Sequence, residues 1–185
     1  QQDGFEPLII TLSSKLSGTH QSACMAASEA SCPVRVVDSG HVTVSERILV
    51  EHALGLAKEG LDAEEIAARV EAVRERVVVI GLLDTLEYLR RGGRISAAAG
   101  TFGEMLSIKP VITIENGEVK MLGRARGSKN GRNLLNQQIK ASRGIDFSMP
   151  LALGYAGLSD ALLQKYIRDS RALWEEYPSD ELPVY

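Results

Sequence analysis

An apolar run, Leu8-Ile9-Ile10-Thr11-Leu12, is followed at once by a polar turn and a helix of small residues, and this strand-then-helix order recurs through the N-terminal part of the chain. The small-residue helix is expected from about Ser17 to Ala30 and ends at Pro33, and Val34-Arg35-Val36-Val37 forms a short strand leading into Asp38-Ser39-Gly40. A helix from Val44 to Lys58 stops at Gly60, which can take the left-handed conformation that closes a helix. Asp62 then caps a helix with Ile66, Val70 and Val73 on one face. Val77 to Leu83 is continuous, apolar and rich in β-branched residues, which predicts a buried strand. Alternation of this kind favours a parallel sheet with right-handed crossovers.

Beyond that strand the pattern is less regular. A short helix over Thr85 to Arg90 breaks at Gly92-Gly93, and another is expected from Ile95 to Leu106. Val111–Ile114 and Glu118–Leu122 flank Asn116-Gly117, a pair suited to a type I′ hairpin. A helix from Lys129 to Ser142, a strand from Leu151 to Tyr155 and a long helix from Asp160 to Tyr177 complete the order. The fold class expected is α/β with two lobes. Residues 1–78 form a partial N-terminal lobe with a parallel sheet, and residues 79–185 a second, mixed-sheet lobe whose C-terminus is incomplete.

The length of 185 residues allows one large domain or two small ones, and a hydrophobic content of 44% against 24% charged residues excludes wholesale disorder. The longest apolar stretch, Val77 to Leu83, is too short to cross a bilayer. Cys24 and Cys32 make no disulfide framework and no signal-peptide pattern opens the chain, so a soluble, cytoplasmic protein is expected. The start at Gln1 without a methionine points to a processed chain or a piece of a longer one.

Charge is segregated. Residues 88–145 carry eleven Lys/Arg and three acids, a local charge of +8, while the remainder carries −11. Such a basic region fits an anionic ligand or an acidic partner, and equally a solvated helix face. Two motifs could receive an anion. Ser13-Ser14-Lys15-Leu16-Ser17-Gly18-Thr19 lies between the C-terminal end of a strand and the N-terminus of a helix, where ligands of open α/β sheets bind. The helix offers unpaired N–H groups, Gly18 permits close approach to the backbone, and Ser17 and Thr19 add hydroxyl donors for a carboxylate or phosphate. The same residues would serve for simple capping, and on residues alone both readings stand. In Arg90-Arg91-Gly92-Gly93-Arg94 the two glycines permit a bend that aims Arg94 away from the preceding helix, and a guanidinium fork matches a two-oxygen anion. Arg90 and Arg91 could instead neutralise the helix C-terminus.

Other chemistries do not assemble. His20, His41 and His52 lack metal-ligand spacing, adjacency of Asp38, Ser39 and His41 is not a triad, and the basic glycine-rich segment Arg124–Arg132 lacks P-loop spacing. No catalytic residue and no metal site is expected. Three functional classes remain: a protein that binds an anionic ligand, a phosphate- or sugar-phosphate-binding enzyme using Ser17-Gly18-Thr19, and, least favoured, a nucleic-acid binder acting through the basic half.

Taken together, several segments resemble the DegV family of fatty-acid-binding proteins: Ile10-Thr-Leu-Ser-Ser-Lys-Leu-Ser-Gly-Thr19 with Gln21-Ser22-Ala23, Val37-Asp38-Ser39, Leu83-Asp-Thr-Leu-Glu-Tyr-Leu-Arg-Arg-Gly-Gly-Arg-Ile-Ser96, Ile108-Lys109-Pro110 and Arg126-Gly127. Their order and spacing fit from about residue 8 to residue 157. The resemblance implies a two-lobed α/β protein holding one long-chain fatty acid in an apolar tunnel between the lobes. It implies a carrier rather than an enzyme, with no cofactor beyond the bound lipid, which presents its carboxylate to a separate fatty acid kinase for acyl-phosphate formation and phospholipid metabolism. The family's carboxylate-contacting serine corresponds to Ser17, beside Gly18 and Thr19, and its motif arginine to Arg94. Arg90, Arg91, Arg124 and Arg126 become candidates for docking the kinase; a transient membrane-surface contact is allowed and no nucleic-acid partner is expected. The chain departs from the family in three ways. It has no counterpart of the family's upstream Thr-Ser-Gln-Pro-type segment or of its histidine near the C-terminus, and His20 stands where a tyrosine is usual. Both ends of the family fold are therefore expected to be missing.

Overall fold

The computed structural model describes residues 6–95, 107–142, 144–179 and 181–185. The helix expected from Ile95 to Leu106 lies, apart from Ile95, outside the described residues. The contacts divide the chain into two compact units: one runs up to Val78 and includes Ile114–Glu118, and the other comprises Val79–Thr113 and Val119–Tyr185.

In the first unit, β1 (Leu8–Thr11) pairs in parallel with β2 (Arg35–Asp38), Leu8 opposite Arg35 and Thr11 opposite Asp38. Helix α1 (Thr19–Glu29) connects them, and α2 (Val44–Lys58) and α3 (Ala63–Arg74) follow. Local chemistry accounts for each boundary. Gly60, at φ 90°, closes α2, and the Leu61 amide reaches back to the Leu56 carbonyl at 3.3 Å. Asp62 opens α3 with a capping box: its carboxylate accepts from the Glu65 amide at 2.8 Å, while the Glu65 side chain accepts from the Asp62 amide. The core is Val37, Leu49, Ala53, Leu56, Ile66 and Val70, so α2 and α3 carry most of the burial. Helix α1 rests on both strands yet buries none of its residues.

The second unit contains β3 (Ile80–Leu82), α4 (Glu87–Arg91), most of β4 (Ile108–Glu115) and of β5 (Glu118–Arg126), whose turn counts with the first unit, and α5 (Ser128–Ala141) and α6 (Ala161–Asp169). Its sheet has the order β3-β4-β5, and β3 runs antiparallel to β4 with Gly81 opposite Ile112. Val111, Leu135, Tyr166 and Trp174 form its core. The protein is thus a mixed α/β structure with one parallel and one antiparallel sheet.

Three expected elements differ. The strand foreseen over Val77–Leu83 is regular only at Ile80–Leu82 and is half-buried, with Val78 53% exposed; its partner is the antiparallel β4 rather than the parallel pair. Leu151–Tyr155 forms only a bridge from Leu153 to Val184, secured by the Leu153 amide on the Pro183 carbonyl and the Tyr185 amide on the Leu153 carbonyl, both 2.8 Å. The long C-terminal helix stops at Asp169, and a 3₁₀ turn, Arg171–Leu173, follows. Tyr166 and Trp174 would lie about 12 Å apart along a continuous helix. Their rings instead meet edge-to-face with centroids 6.2 Å apart, which the break allows.

Candidate functional site

The segment between β1 and α1 is organised by Ser13, which is 0% exposed. Its amide donates to the His41 carbonyl at 2.8 Å, and its carbonyl accepts from the Leu16 and Ser17 amides at 3.0 and 3.1 Å. Its hydroxyl donates to the Gly117 carbonyl at 2.7 Å and accepts from the Lys15 amide at 3.2 Å. Gly117 is the second residue of the β4–β5 turn. Asn116 at φ 52° and Gly117 at φ 77° have the positive angles that a type I′ turn requires. A Cβ on Gly117 would fall 2.7 Å from Ser13 Oγ, so glycine is demanded there by both conformation and space.

Asp38, opposite Thr11 at the same sheet edge, holds the other side of the turn. Its carboxylate accepts from the Ser14 amide at 3.2 and 3.3 Å and from the Gly40 amide at 2.9 Å. Burial pushes this carboxyl up, but the Ser14 side chain, the Gly40 and Ser14 amides and the nearby His20 ring outweigh it, and its pKa lies below the usual value. The amides of residues 14 to 17 are therefore spent within the turn.

What faces outward is a pair of hydroxyls. Ser17 Oγ and Thr19 Oγ1 are 2.8 Å apart, and Ser17 Oγ also accepts from the Thr19 amide at 3.2 Å. One hydroxyl must donate to the other, which leaves one O–H to be satisfied from outside. If Thr19 donates, both lone pairs of Ser17 Oγ are occupied and its proton has no use except to an acceptor in a ligand or solvent. Nothing lies within 4 Å of the position of a Cβ on Gly18, and the first turn of α1 carries no acidic side chain. The structure brings Ser17, Gly18 and Thr19 together, and the arrangement suits an acceptor group such as a carboxylate. The capping role weighed from sequence is present too, since Ser17 bonds the Thr19 amide from one position before the cap.

The arginine candidates belong to the second unit. The Gly92-Gly93 pair closes α4: Gly93 is left-handed at φ 71°, its amide bonds the Arg90 carbonyl at 3.0 Å, and the Arg94 amide bonds the Leu89 carbonyl at 2.9 Å. This is a Schellman closure, and it sets where Arg94 leaves the helix. The Arg94 guanidinium is exposed and folds back to donate to the Gly92 carbonyl. Arg91 pairs with Glu87 at 2.6 Å one turn earlier, and Arg90 is exposed beside it in the last turn. Arg124 and Arg126 are exposed on β5 two residues apart, on one face of the strand.

The locking role of Ser13 escaped the sequence. Ser13 looks like any turn serine, because its partner Gly117 is 104 residues away. Asp38 and His41 invite comparison with a triad, yet Ser39 Oγ bonds the His41 carbonyl at 3.2 Å and the His41 ring bonds the Arg74 carbonyl at 2.9 Å. Among the described residues no three His, Cys, Asp or Glu side chains are grouped to hold a metal, and no helix is long and apolar enough to cross a membrane.

Fold and turn together define a mixed α/β protein with a paired serine and threonine at its strand-to-helix corner. The chain belongs to the DegV family of uncharacterised proteins, whose model matches residues 1–184. A DegV domain-containing protein of Caldanaerobacter subterraneus is 38% identical over 142 residues, 76% of this chain and 50% of that protein. The chain spans about half the length of the curated relatives it matches. Among solved structures, a DegV family protein from Thermus thermophilus described as fatty acid binding superposes with a TM-score of 0.78 at 31% identity, over 99% of this chain and 65% of that one. DegV of Bacillus subtilis, a fatty acid binding protein, gives a TM-score of 0.71 at 26% identity, over 97% and 63%.

Proposed function

We propose that this chain belongs to a long-chain fatty acid carrier whose Ser17–Thr19 corner holds the lipid carboxylate. The hydroxyl pair with one proton left to donate supports this reading, together with the fatty acid binding described for the Thermus and Bacillus relatives. The energetics divide the work. A buried tail contributes about 0.8 kcal/mol per methylene, so roughly fifteen methylenes give about 12 kcal/mol before ordering costs. Each charge-assisted bond to the head is worth about 1.5–3 kcal/mol, enough to offset part of the cost of taking the carboxylate out of water. The tail supplies affinity and the head supplies orientation.

In the proposed reaction sequence the protein is a substrate carrier, not the catalyst. A separate fatty acid kinase in the cytoplasm brings nucleotide and metal, and the carrier's part in phosphoryl transfer is positioning and charge. Arg94 is assigned to offsetting negative charge at that step, and Arg90, Arg91, Arg124 and Arg126 to docking an acidic kinase surface.

The test is mass spectrometry of organic extracts from the purified full-length protein, with and without Ser17→Ala. A copurifying fatty acid, reduced at least severalfold by the substitution, is expected. An empty protein that instead takes up a sugar phosphate would overturn the carrier reading, and unchanged lipid occupancy in Ser17→Ala would remove Ser17 from it.

A further inference from the structure

His20, whose ring lies beside the corner just described, bridges two groups that the lipid reading does not use. Thr11, buried at the end of β1, donates its hydroxyl to the Val37 carbonyl at 3.3 Å. The same oxygen lies 3.0 Å from His20 Nδ1. A threonine hydroxyl has one proton, and a carbonyl can only accept; in the arrangement where that proton goes to Val37, the oxygen accepts from the ring and Nδ1 carries the hydrogen. The lone pair of the neutral imidazole is then at Nε2. That atom is 3.5 Å from the sulfur of Cys24, one turn further along α1 and exposed. Nucleophile, base and the group that orients the base thus stand in line, the arrangement that activates thiols.

We propose that Cys24 is a base-assisted nucleophilic thiol and a modification site for low-molecular-weight disulfides, with His20 as proton acceptor and Thr11 as the positioning residue. His20 Nε2 takes the thiol proton as the Cys24 sulfur attacks one sulfur of the disulfide. The disulfide S–S bond breaks, and the departing thiolate takes the proton from the imidazolium. Cys24 ends oxidised in a mixed disulfide, the reagent ends as one free thiol, and no other oxidant is consumed. The site depends on neither lipid nor kinase.

Cys32, the other free thiol, is an internal reference. The experiment is alkylation of the native chain by iodoacetamide from pH 5.5 to 9.5, with each cysteine followed by peptide mass mapping, followed by reaction with oxidised glutathione at pH 7. An unassisted thiol is only a few per cent ionised near neutrality, so assistance can gain at most roughly thirtyfold. Cys24 is expected to react about tenfold faster than Cys32 at pH 7, with the ratio shrinking towards pH 9.5, and to carry the glutathione. His20→Gln should remove the advantage at pH 7 and leave the rate at pH 9.5 and the reactivity of Cys32 as they were. Thr11→Val should reduce the advantage and Thr11→Ser retain it. A Cys24 to Cys32 ratio constant across the pH range in the unaltered chain would overturn the proposal, as would an unchanged Cys24 rate at pH 7 in His20→Gln. The first of these readings needs no variant to fold.

Discussion

The contact between Ser13 and Gly117 predicts a strong coupling between two residues 104 apart in sequence. Replacing Ser13 with Ala strips the Gly117 carbonyl and the Lys15 amide of a partner in a fully buried place, a loss of about 1–3 kcal/mol. Replacing Gly117 with Ala costs about 1–2 kcal/mol for a side chain at φ 77°. It also places a Cβ 2.7 Å from Ser13 Oγ, closer than real contacts allow. The hydroxyl cannot turn aside without releasing both its hydrogen bonds, so the same 1–3 kcal/mol is lost again, for a total of about 2–5 kcal/mol. In the double variant the obstruction is gone and the hydrogen bonds are lost only once. Its cost should therefore fall short of the sum of the single costs by about 1–3 kcal/mol, the range seen for residues in direct contact. Native-state hydrogen exchange at the Leu49 and Val70 amides, in the core of the first unit, reads the opening free energy of that unit alone. Additivity within about 0.5 kcal/mol, or a Gly117→Ala cost no greater than the backbone term, would refute this account of the turn.

Two further expectations concern titration. Asp38 has its folded pKa lowered, so the stability it contributes is present above the unfolded value of about 3.9 and is lost as pH falls through the lower folded value. Asp38→Asn should therefore be less stable than the parent above pH 4 and show a shallower decline in denaturation midpoint between about pH 4 and 2; parallel curves would remove Asp38 from the acid response. Tyr166 is pushed up to about 12 by burial, against a smaller opposing effect of its hydrogen bond with Ser170. A raised tyrosine contributes stability below pH 10 that disappears as pH climbs towards its folded value. Ultraviolet titration should show a tyrosine ionising near pH 12, and Tyr166→Phe should abolish that step.

The corner between β1 and α1 is built to be rigid before anything binds. Four consecutive amides are committed to Asp38 and Ser13, and the hairpin tip closes over Ser13 from the far side. A rigid corner spares a ligand the entropy of ordering its own site. The nearby Asp38 carboxylate sets the electrostatic limit: a second carboxylate beside it is unfavourable unless hydrogen-bond donors or cations intervene. The uncommitted hydroxyl proton at Ser17–Thr19 is one such donor.

Most of the helices were legible in the sequence because their signals are local. Val44–Lys58, the cap at Asp62, the closure at Gly60 and the Asn116-Gly117 turn depend on residues within one turn of one another, where propensity and capping act. The turn at Ser17, Gly18 and Thr19 was readable for the same reason, as a strand, a small-residue turn and a helix start in succession. The elements that differed were those decided by distant partners. Ile80–Leu82 is as apolar as a parallel strand, but its neighbour is β4, and Leu151–Tyr155 depends on residues 183–185 to become even a bridge. The helix that begins at Ala161 stops at Asp169, short of its sequence expectation, and the break lets Tyr166 meet Trp174.

By itself the sequence determined the alternation of strands and helices, the caps, the hairpin and the family, because these are written in neighbouring residues. Only the tertiary structure decided that Ser13 locks the corner through Gly117, that Asp38 takes the Ser14 amide, and that Thr11, His20 and Cys24 stand in line. Such contacts join residues on different elements, and a hydrogen bond is made or lost within a few tenths of an ångström that only packing can set.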